Sequence, residues 1–440
     1  MKKFAALLLT LCMVLSLVAC GGGEKKEEAP KAEDPKTEEP KTEEPATEEI
    51  TYDGVFKLGA VGPLTGASAE TGVAGKQGQE LAVAEWNAKG GLEIDGKHYK
   101  IELIYEDSAG APETAVAAAE KLLGIDKVDA IFAETFLSSC IIACMELAPK
   151  YPDVLFSTIE GVSTVIPEKI LAEPEKYANF FKPCWNSDTY GGLVADSVFA
   201  LAAEGAIPAE NKTVAFVVED TDNGRSNADA AAALMEAEGW TVVAYEANPQ
   251  GATDFYSQIN KLMQLDPDVV VTNFVPQASG VAWVKQVAEL GAEWSDVAIV
   301  YPTKPNFYED AGNACADLFW VPVEYDPTSD AVKEFEGKMQ DMFGVSLTKC
   351  QTSGYATTNL MFEAIEKAGT WKATEGLIEA YESIVYEDPI LGTFKFEENH
   401  TVKGGTGGLN MATAQIQPDA QTYKIVYPDY SKQADAYPQY

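Results

Sequence analysis

The sequence predicts an α/β fold of two lobes, each a doubly wound parallel sheet covered by helices. Apolar, β-rich runs alternate with helical patterns along the chain, in two successive series that begin near residues 55 and 213. Such an alternation is typical of parallel sheets with helices on both faces. The part from residue 50 to residue 440 is also too long for one ordinary core.

Each series predicts four strands and three helices. In the first, strands are expected at 55–61, 99–105, 128–132 and 154–157, and helices at 72–88, 112–123 and 138–150. In the second, strands are expected at 213–218, 240–245, 268–272 and 297–301, and helices at 225–239, 254–265 and 277–290. After residue 301 the pattern is mostly helical, at 329–343, 352–368 and 373–385, with short strands at 392–396 and 423–427.

Residues 1–20 have the pattern of a secretory signal, with Lys2 and Lys3 before an apolar run that is too short to span a bilayer comfortably. Ala19 followed by Cys20 resembles the bacterial lipobox. By that resemblance Cys20 is the lipidated mature N-terminus, which would anchor the protein on the extracytoplasmic side of the cell membrane. The alternative is an ordinary signal peptide or a short anchor with a chance cysteine.

Residues 21–52 are predicted to be a disordered tether. Residues 24–49 contain almost only Glu, Lys, Pro, Thr and Ala, with five-residue repeats that begin at Pro35, Pro40 and Pro45. No apolar side chains here can offset the entropy of ordering the chain. Regular proline and like charges keep such a segment extended.

The charge of the chain argues against nucleic acid as a partner. The formal net charge is −37, and residues 21–50 contribute only 11 acids against 5 bases. The folded part is therefore strongly acidic itself and would repel phosphates and an anionic membrane face. No long apolar run follows the signal, so no transmembrane helix is expected.

Cysteine and histidine content argues against an enzyme or a metal site. Outside the first 20 residues the cysteines are Cys140, Cys144, Cys184, Cys315 and Cys350. Most are expected to be small buried residues, and any disulfide stays open. The two histidines, at 98 and 400, lie far apart, which leaves little material for a zinc site or a histidine-based triad.

Three loops have chemistry suited to a ligand. They cover residues 62–72, 134–139 and 220–224, and each leaves a predicted strand to open a helix. In open α/β sheets ligands bind beyond the carboxyl ends of the strands. Ser138, Ser139 and Asn223 either cap their helices or help to hold an anion. Trp185, near an expected crossing between lobes, either packs there or stacks on a ligand.

At this point the sequence resembles a family, the extracellular solute-binding proteins of branched-chain amino acid ABC importers. Residues 56–66 (FKLGAVGPLTG) and 78–91 (GQELAVAEWNAKGG) carry the resemblance most specifically, and residues 101–122, 214–227 and 276–291 extend it. It implies the type I periplasmic-binding-protein fold with three interlobe crossovers. It also implies a small-molecule ligand in the cleft, ABC permease and ATPase subunits as partners, and no cofactor.

The resemblance also implies roles for single residues. Ser138 matches the serine that binds the ligand's α-carboxylate, Thr71 falls where the first loop lines the pocket, and Phe274 matches an aromatic residue at the cleft. Two positions depart from the pattern. Asn223 stands where an aromatic residue is common, and Thr303 stands where many members have the acid that pairs with the ligand's ammonium.

Glu160 is the expected replacement for that acid. It stands beside Gly161, where the family has a threonine. The ligand is therefore expected to be a small polar solute, with an amino acid or a related compound as the first possibility and a non-amino-acid solute left open.

The expected lobes are residues 53–182 with 304–396, and residues 183–303 with 397–440. Hinges are expected near 182–184, 301–304 and 396–403, and the protein is expected to be a monomer. A ligand-sensing module of the same fold is the alternative function. Sensors usually carry a transmembrane helix and a signalling domain, and this chain is expected to have neither.

Overall fold

Two β-sheets organise the protein, and each is the centre of one lobe. The computed structural model describes residues 51–304, 306–405 and 407–439. The strands of lobe one are β1 (Gly54–Gly62), β2 (Leu92–Ile94), β3 (Lys97–Asp107), β4 (Ala130–Phe132) and β5 (Leu155–Ser157). They form a sheet in the order β2-β3-β1-β4-β5, which is parallel except between β2 and β3.

Nine further strands are described, and seven of them form the sheet of lobe two. They are β6 (Thr213–Glu219), β7 (Thr241–Asn248), β8 (Val269–Phe274), β9 (Ser295–Val300), β10 (Phe319–Val323), β11 (Val385–Asp388), β12 (Gly392–Lys395), β13 (Ala412–Ile416) and β14 (Tyr423–Tyr427). Strands β11 and β12 pair with each other, and the other seven form a sheet in the order β14-β13-β10-β9-β8-β6-β7. Because β13 and β14 are antiparallel, this sheet is mixed rather than purely parallel.

Helices cover both sheets. They are α1 (Ala69–Ala88), α2 (Pro112–Lys121), α3 (Ser138–Cys144), α4 (Val165–Ala172), α5 (Ser187–Ala203), α6 (Asp222–Ala237), α7 (Tyr256–Leu265), α8 (Gln277–Leu290), α9 (Phe307–Ala311), α10 (Asp330–Phe343), α11 (Lys349–Ala368) and α12 (Leu377–Glu382). The helices predicted for the two series are present, although 138–150 ends in a 3-10 turn. Sequence reasoning missed α4, α5, α9, β2, β10, β11 and β13.

Helices α1 and α11 pack against each other without intervening side chains at two points. A Cβ atom added at Gly78 would lie 2.1 Å from the backbone oxygen of Gln351. A Cβ atom added at Gly354 would lie 2.3 Å from the backbone oxygen of Gly75. Glycine is therefore required at both points, and the contact fixes the N-terminal ends of the two helices relative to each other.

The predicted boundary between the lobes at residues 303 and 304 is wrong. Strand β10 lies in the sheet of lobe two, where Phe319 pairs with Val297 of β9, so the second passage between lobes follows Val323. Pro322 explains the error, because a proline argues against a central strand. In the structure the register of β10 with β13 shifts between Trp320 and Val323, so the proline sits in the irregularity.

The first and third passages between the lobes run side by side. The backbone N–H of Lys182 donates to the oxygen of His400 at 2.9 Å, and that of Val402 donates to the oxygen of Cys184 at 3.1 Å. The hinges predicted at 182–184 and 396–403 therefore fall on neighbouring segments. Whether the lobes move there stays a prediction.

The folded part begins slightly before the predicted end of the tether. The Oη atom of Tyr52 donates to the backbone oxygen of Asn87 at 2.9 Å, so Tyr52 is held against lobe one. The signal at 1–20, the lipidation of Cys20 and the tether up to residue 50 lie outside the described residues.

Three further observations concern the described part of the chain. None of its helices has the length and apolar character needed to cross a bilayer. No group of three or more His, Cys, Asp and Glu side chains in it is arranged to hold a metal ion. Its cysteines at 140, 144, 184, 315 and 350 are free and buried.

The contact between α1 and α11 leads to a stability prediction. Gly78→Ala should lower the free energy of unfolding by about 1–3 kcal/mol, because the new methyl group meets backbone atoms that cannot rotate away. Gly337→Ala in α10 is the matched control, since a Cβ atom there meets nothing within 4 Å. The control substitution should leave the free energy of unfolding unchanged or raise it by about 0.5–1 kcal/mol. Denaturant unfolding of both variants measures the difference, and equal effects would contradict the packing described.

Candidate ligand-binding site

A cavity lies between the lobes, beyond the carboxyl ends of strands from both sheets. Its volume is about 70 Å³, where one water needs about 10–15 Å³, so it suits a small molecule. Loops after β1, β4 and β5 form the wall from lobe one, and loops after β6, β7, β8 and β9 form the wall from lobe two. The N-terminal end of α11 also lines the cavity, through Lys349 and Cys350.

Six of the eight predicted site residues line this cavity. They are Thr71, Ser138, Ser139, Glu160, Asn223 and Thr303. The first four come from lobe one and the last two from lobe two. The structure therefore brings together side chains that are separated by up to 232 positions in the sequence.

Ser138 is the first residue of α3 and is buried at the cavity. Its Oγ atom accepts a hydrogen bond from the backbone N–H of Ser163 at 3.3 Å. The hydroxyl proton has no acceptor among the described residues, so it is available to a ligand oxygen.

Glu134 stabilises the loop before Ser138, because its carboxylate accepts from the backbone N–H of Phe136 at 3.2 Å. Burial raises the pKa of Glu134 to about 7.

Phe274 does not line the cavity, contrary to the role implied by the resemblance. It is buried in the core of lobe two, with ring centroids 5.0 Å from Phe255 and 5.7 Å from Tyr301. The next residue, Val275, lines the cavity instead. Successive side chains of an extended strand point in opposite directions, and Phe274 points into the core.

Trp185 packs at the crossing rather than on the cavity wall. Its ring lies 5.7 Å from that of Tyr190, and the Nζ atom of Lys349 lies 5.2 Å from the indole centroid. Of the two roles left open for Trp185, this arrangement favours packing. The residue supports the cavity through Tyr190 and Lys349, which do line it.

Lys349 forms the centre of a buried ion cluster that the sequence did not predict. Its ammonium pairs with the carboxylate of Glu324 and lies 3.4 Å from Oε2 of Glu160. It also donates to Oη of Tyr190 at 3.3 Å. Burial alone lowers the pKa of Lys349, but the attraction of the two carboxylates raises it well above its usual value. Burial raises the pKa of Glu324 to about 8.

Glu160, the expected replacement for the missing acid, is therefore already paired with Lys349 of the protein itself. Glu160 keeps only Oε1 unpartnered, and that atom is buried. Thr303 turns its hydroxyl to the backbone oxygen of Val300, to which it donates at 2.7 Å. Asn223 accepts from Nδ2 of Asn227 at 3.1 Å.

Lys304 is a second buried ammonium, and it has different surroundings. It is only 4% exposed and lines the cavity. Its Nζ atom donates to Oγ1 of Thr71 in α1, so the bond joins lobe two to lobe one across the cavity. No carboxylate of the described residues lies within ion-pair distance of this ammonium.

Weak signals for both lysines exist in the sequence. Lys349 opens a 20-residue helix, where the helix dipole disfavours a cation unless acids surround it. Lys304 follows the end of β9 after one 3-10 turn, at the edge where ligands bind. Neither position reveals the partners of its ammonium, because the carboxylates beside Lys349 and the hydroxyl beside Lys304 come from distant elements.

Comparisons with known proteins agree with this architecture. A family model described as periplasmic binding protein matches residues 55–421. An amino acid binding protein from Pseudomonas aeruginosa is 28% identical over 53% of this chain, and this chain spans only 57% of that protein. Leu/Ile/Val-binding protein homolog 3 from Brucella melitensis is 24% identical over 78% of this chain and 87% of its own length.

Three solved structures have the same fold. The leucine binding protein LivK from Thermotoga maritima has a TM-score of 0.68 and 19% identity, covering 84% of this chain and 97% of its own. LivJ from Streptococcus pneumoniae, in complex with isoleucine, has a TM-score of 0.68 and 18% identity, covering 85% and 100%. An ABC transporter solute binding protein from Rhodopseudomonas palustris, in complex with 3,4-dihydroxybenzoic acid, has a TM-score of 0.66 and 23% identity, covering 81% and 95%.

These findings confirm the predicted fold class and the resemblance, and they confirm that the relatives are binding proteins and not enzymes. The family model covers most of the chain, including every element that lines the cavity. The chain therefore belongs to the periplasmic binding protein family, with the type I fold.

Proposed function

We propose that this protein is the extracytoplasmic solute-binding component of an ABC importer. It captures a small solute that carries a carboxylate, holds it between the lobes and delivers it to the permease and its ATPase. The protein acts as a monomer, and its binding partner in solution is the small molecule alone.

One observation carries the proposal. The cavity is lined from both lobes at the carboxyl ends of their strands, with Thr71 and Ser138 on one side and Asn223 and Lys304 on the other. A ligand that contacts both walls binds the closed arrangement of the lobes better than an open one. Binding therefore shifts the population towards the closed form, which is the form that a permease can recognise.

The polar groups of the cavity support a carboxylate as the recognised group. The free O–H of Ser138 and the ammonium of Lys304 are both donors, and anions are bound by such donors. Two of the structural relatives contain isoleucine and 3,4-dihydroxybenzoic acid. These two ligands differ in most respects, but each has a carboxylate.

The N-terminal region supports a membrane-tethered form. Lipid on Cys20 and the acidic, proline-containing tether would hold the binding domain near its permease. Tethering raises the effective concentration of the loaded receptor at the permease without any new contact.

Ser138→Ala should weaken binding of the co-purified solute about ten- to a hundredfold. The variant loses a hydrogen bond to a charged group, which contributes about 1.5–3 kcal/mol. Mass spectrometry of protein purified without refolding identifies the solute, and calorimetry measures its affinity. Ser257→Ala in the exposed part of α7 is the matched control and should bind normally. An unchanged affinity in Ser138→Ala would refute this pocket assignment.

Cys20→Ala should release the protein from the membrane and leave its ligand affinity unchanged. The lipid only holds the receptor in place, and the cavity is built from residues 71–350. Membrane fractionation combined with the same calorimetric assay measures both properties. A variant that stays in the membrane fraction would contradict the lipid anchor.

A further inference from the structure

The two buried lysines of the cavity differ in how their charge is compensated. Lys349 is 7% exposed and has two carboxylates as partners, Glu160 and Glu324. Lys304 is similarly buried, but among the described residues its ammonium has one hydrogen-bond partner, the hydroxyl of Thr71, and the charge of Glu219 acts on it only from beyond ion-pair distance. A buried ammonium without a counter-ion is costly. An anionic group of the ligand would therefore gain most beside Lys304.

The same cavity is a poor host for a ligand ammonium. Thr303 supplies no carboxylate, and its hydroxyl donates to the backbone oxygen of Val300. Among the described residues that line the cavity, Oε1 of Glu160 is the carboxylate oxygen without a partner. The other oxygen of that carboxylate lies 3.4 Å from the ammonium of Lys349, so a ligand ammonium bound at Oε1 would stand close to a like charge.

A hydroxyl group fits Oε1 of Glu160 better than an ammonium does. It donates one hydrogen bond to the carboxylate and brings no charge towards Lys349. A keto oxygen has no proton to donate to Glu160, but beside Lys304 it accepts a bond from that ammonium, as a hydroxyl oxygen does. The unpaired groups of the cavity are thus complementary to a carboxylate and one neutral oxygen.

We infer that the ligand is a carboxylic acid with a hydroxyl or keto group in place of an α-amino group, and that Lys304 sets this preference. The inference rests on the proposed function, because it names the ligand class of the same cavity. Lys304 acts here as a specificity-determining residue that pairs with the anionic end of the ligand.

Matched pairs of probes test the inference on the wild-type protein. Calorimetry compares L-leucine with 2-hydroxy-4-methylpentanoate and 4-methyl-2-oxopentanoate, and L-phenylalanine with 2-hydroxy-3-phenylpropanoate. Each pair shares one carbon skeleton and differs at the α-position. In at least one pair the hydroxy or oxo acid should bind about tenfold more tightly, or more, than the amino acid.

Variants of Lys304 then test its role. Lys304→Gln should weaken binding of the preferred acid about ten- to a hundredfold and reduce its advantage over the amino acid. Lys304→Arg keeps the charge and should keep the preference, so it controls for loss of folding. Lys285→Gln makes the same change of net charge on the exposed side of α8 and should leave both affinities unchanged.

The possible outcomes separate this inference from the proposed function. Tighter binding of the amino acid in all three pairs would overturn the inference and leave a carboxylate-binding receptor in place. An unchanged preference in Lys304→Gln would overturn the role of Lys304. If folded protein binds none of the probes and releases no carboxylic acid on denaturation, both the inference and the proposed ligand class fail.

Discussion

The contact between α1 and α11 is the constraint on which the binding cavity depends. Gly78 and Gly354 allow the two backbones to meet, and a side chain at either position would force the helices apart. Thr71 lies in the first turn of α1, and Lys349 is the first residue of α11. A rigid contact along these helices therefore fixes the hydroxyl that holds Lys304 and the ammonium that organises Glu160 and Glu324. Lobe two completes the site by placing the ammonium of Lys304 against the hydroxyl of Thr71 in lobe one.

The cavity contains buried ammonium groups although the protein as a whole is strongly acidic. The chain has a formal net charge of −37, which would repel an anionic solute at long range. At physiological ionic strength the Debye length is about 8 Å, so most of that charge is screened from a solute in solution. Buried lysines are screened much less. Recognition of a small acid is therefore decided by the few groups inside the cleft, and the acidic surface disfavours larger polyanions.

The sequence predicted the fold class well, because alternation of strands and helices is a local property of the chain. It failed at β10, where Pro322 hides a strand that tolerates the proline at an irregular position. It also placed Phe274 in the cleft, although its register in β8 directs it to the core and leaves Val275 at the cavity. The lysines were missed for a different reason. What makes Lys304 unusual is that no carboxylate of the described residues lies within ion-pair distance of its buried ammonium, and that follows only from the three-dimensional arrangement.

Small-angle scattering of the wild-type protein, with and without its co-purified solute, tests most directly the claim that the ligand is held between the lobes. Because both walls of the cavity contribute partners, saturating ligand should favour the closed arrangement and reduce the radius of gyration. Ser138→Ala at the same ligand concentration should show a smaller reduction. A radius that stays the same in the wild-type protein at saturation would contradict the account, since a ligand bound to one lobe alone gives no reason for closure.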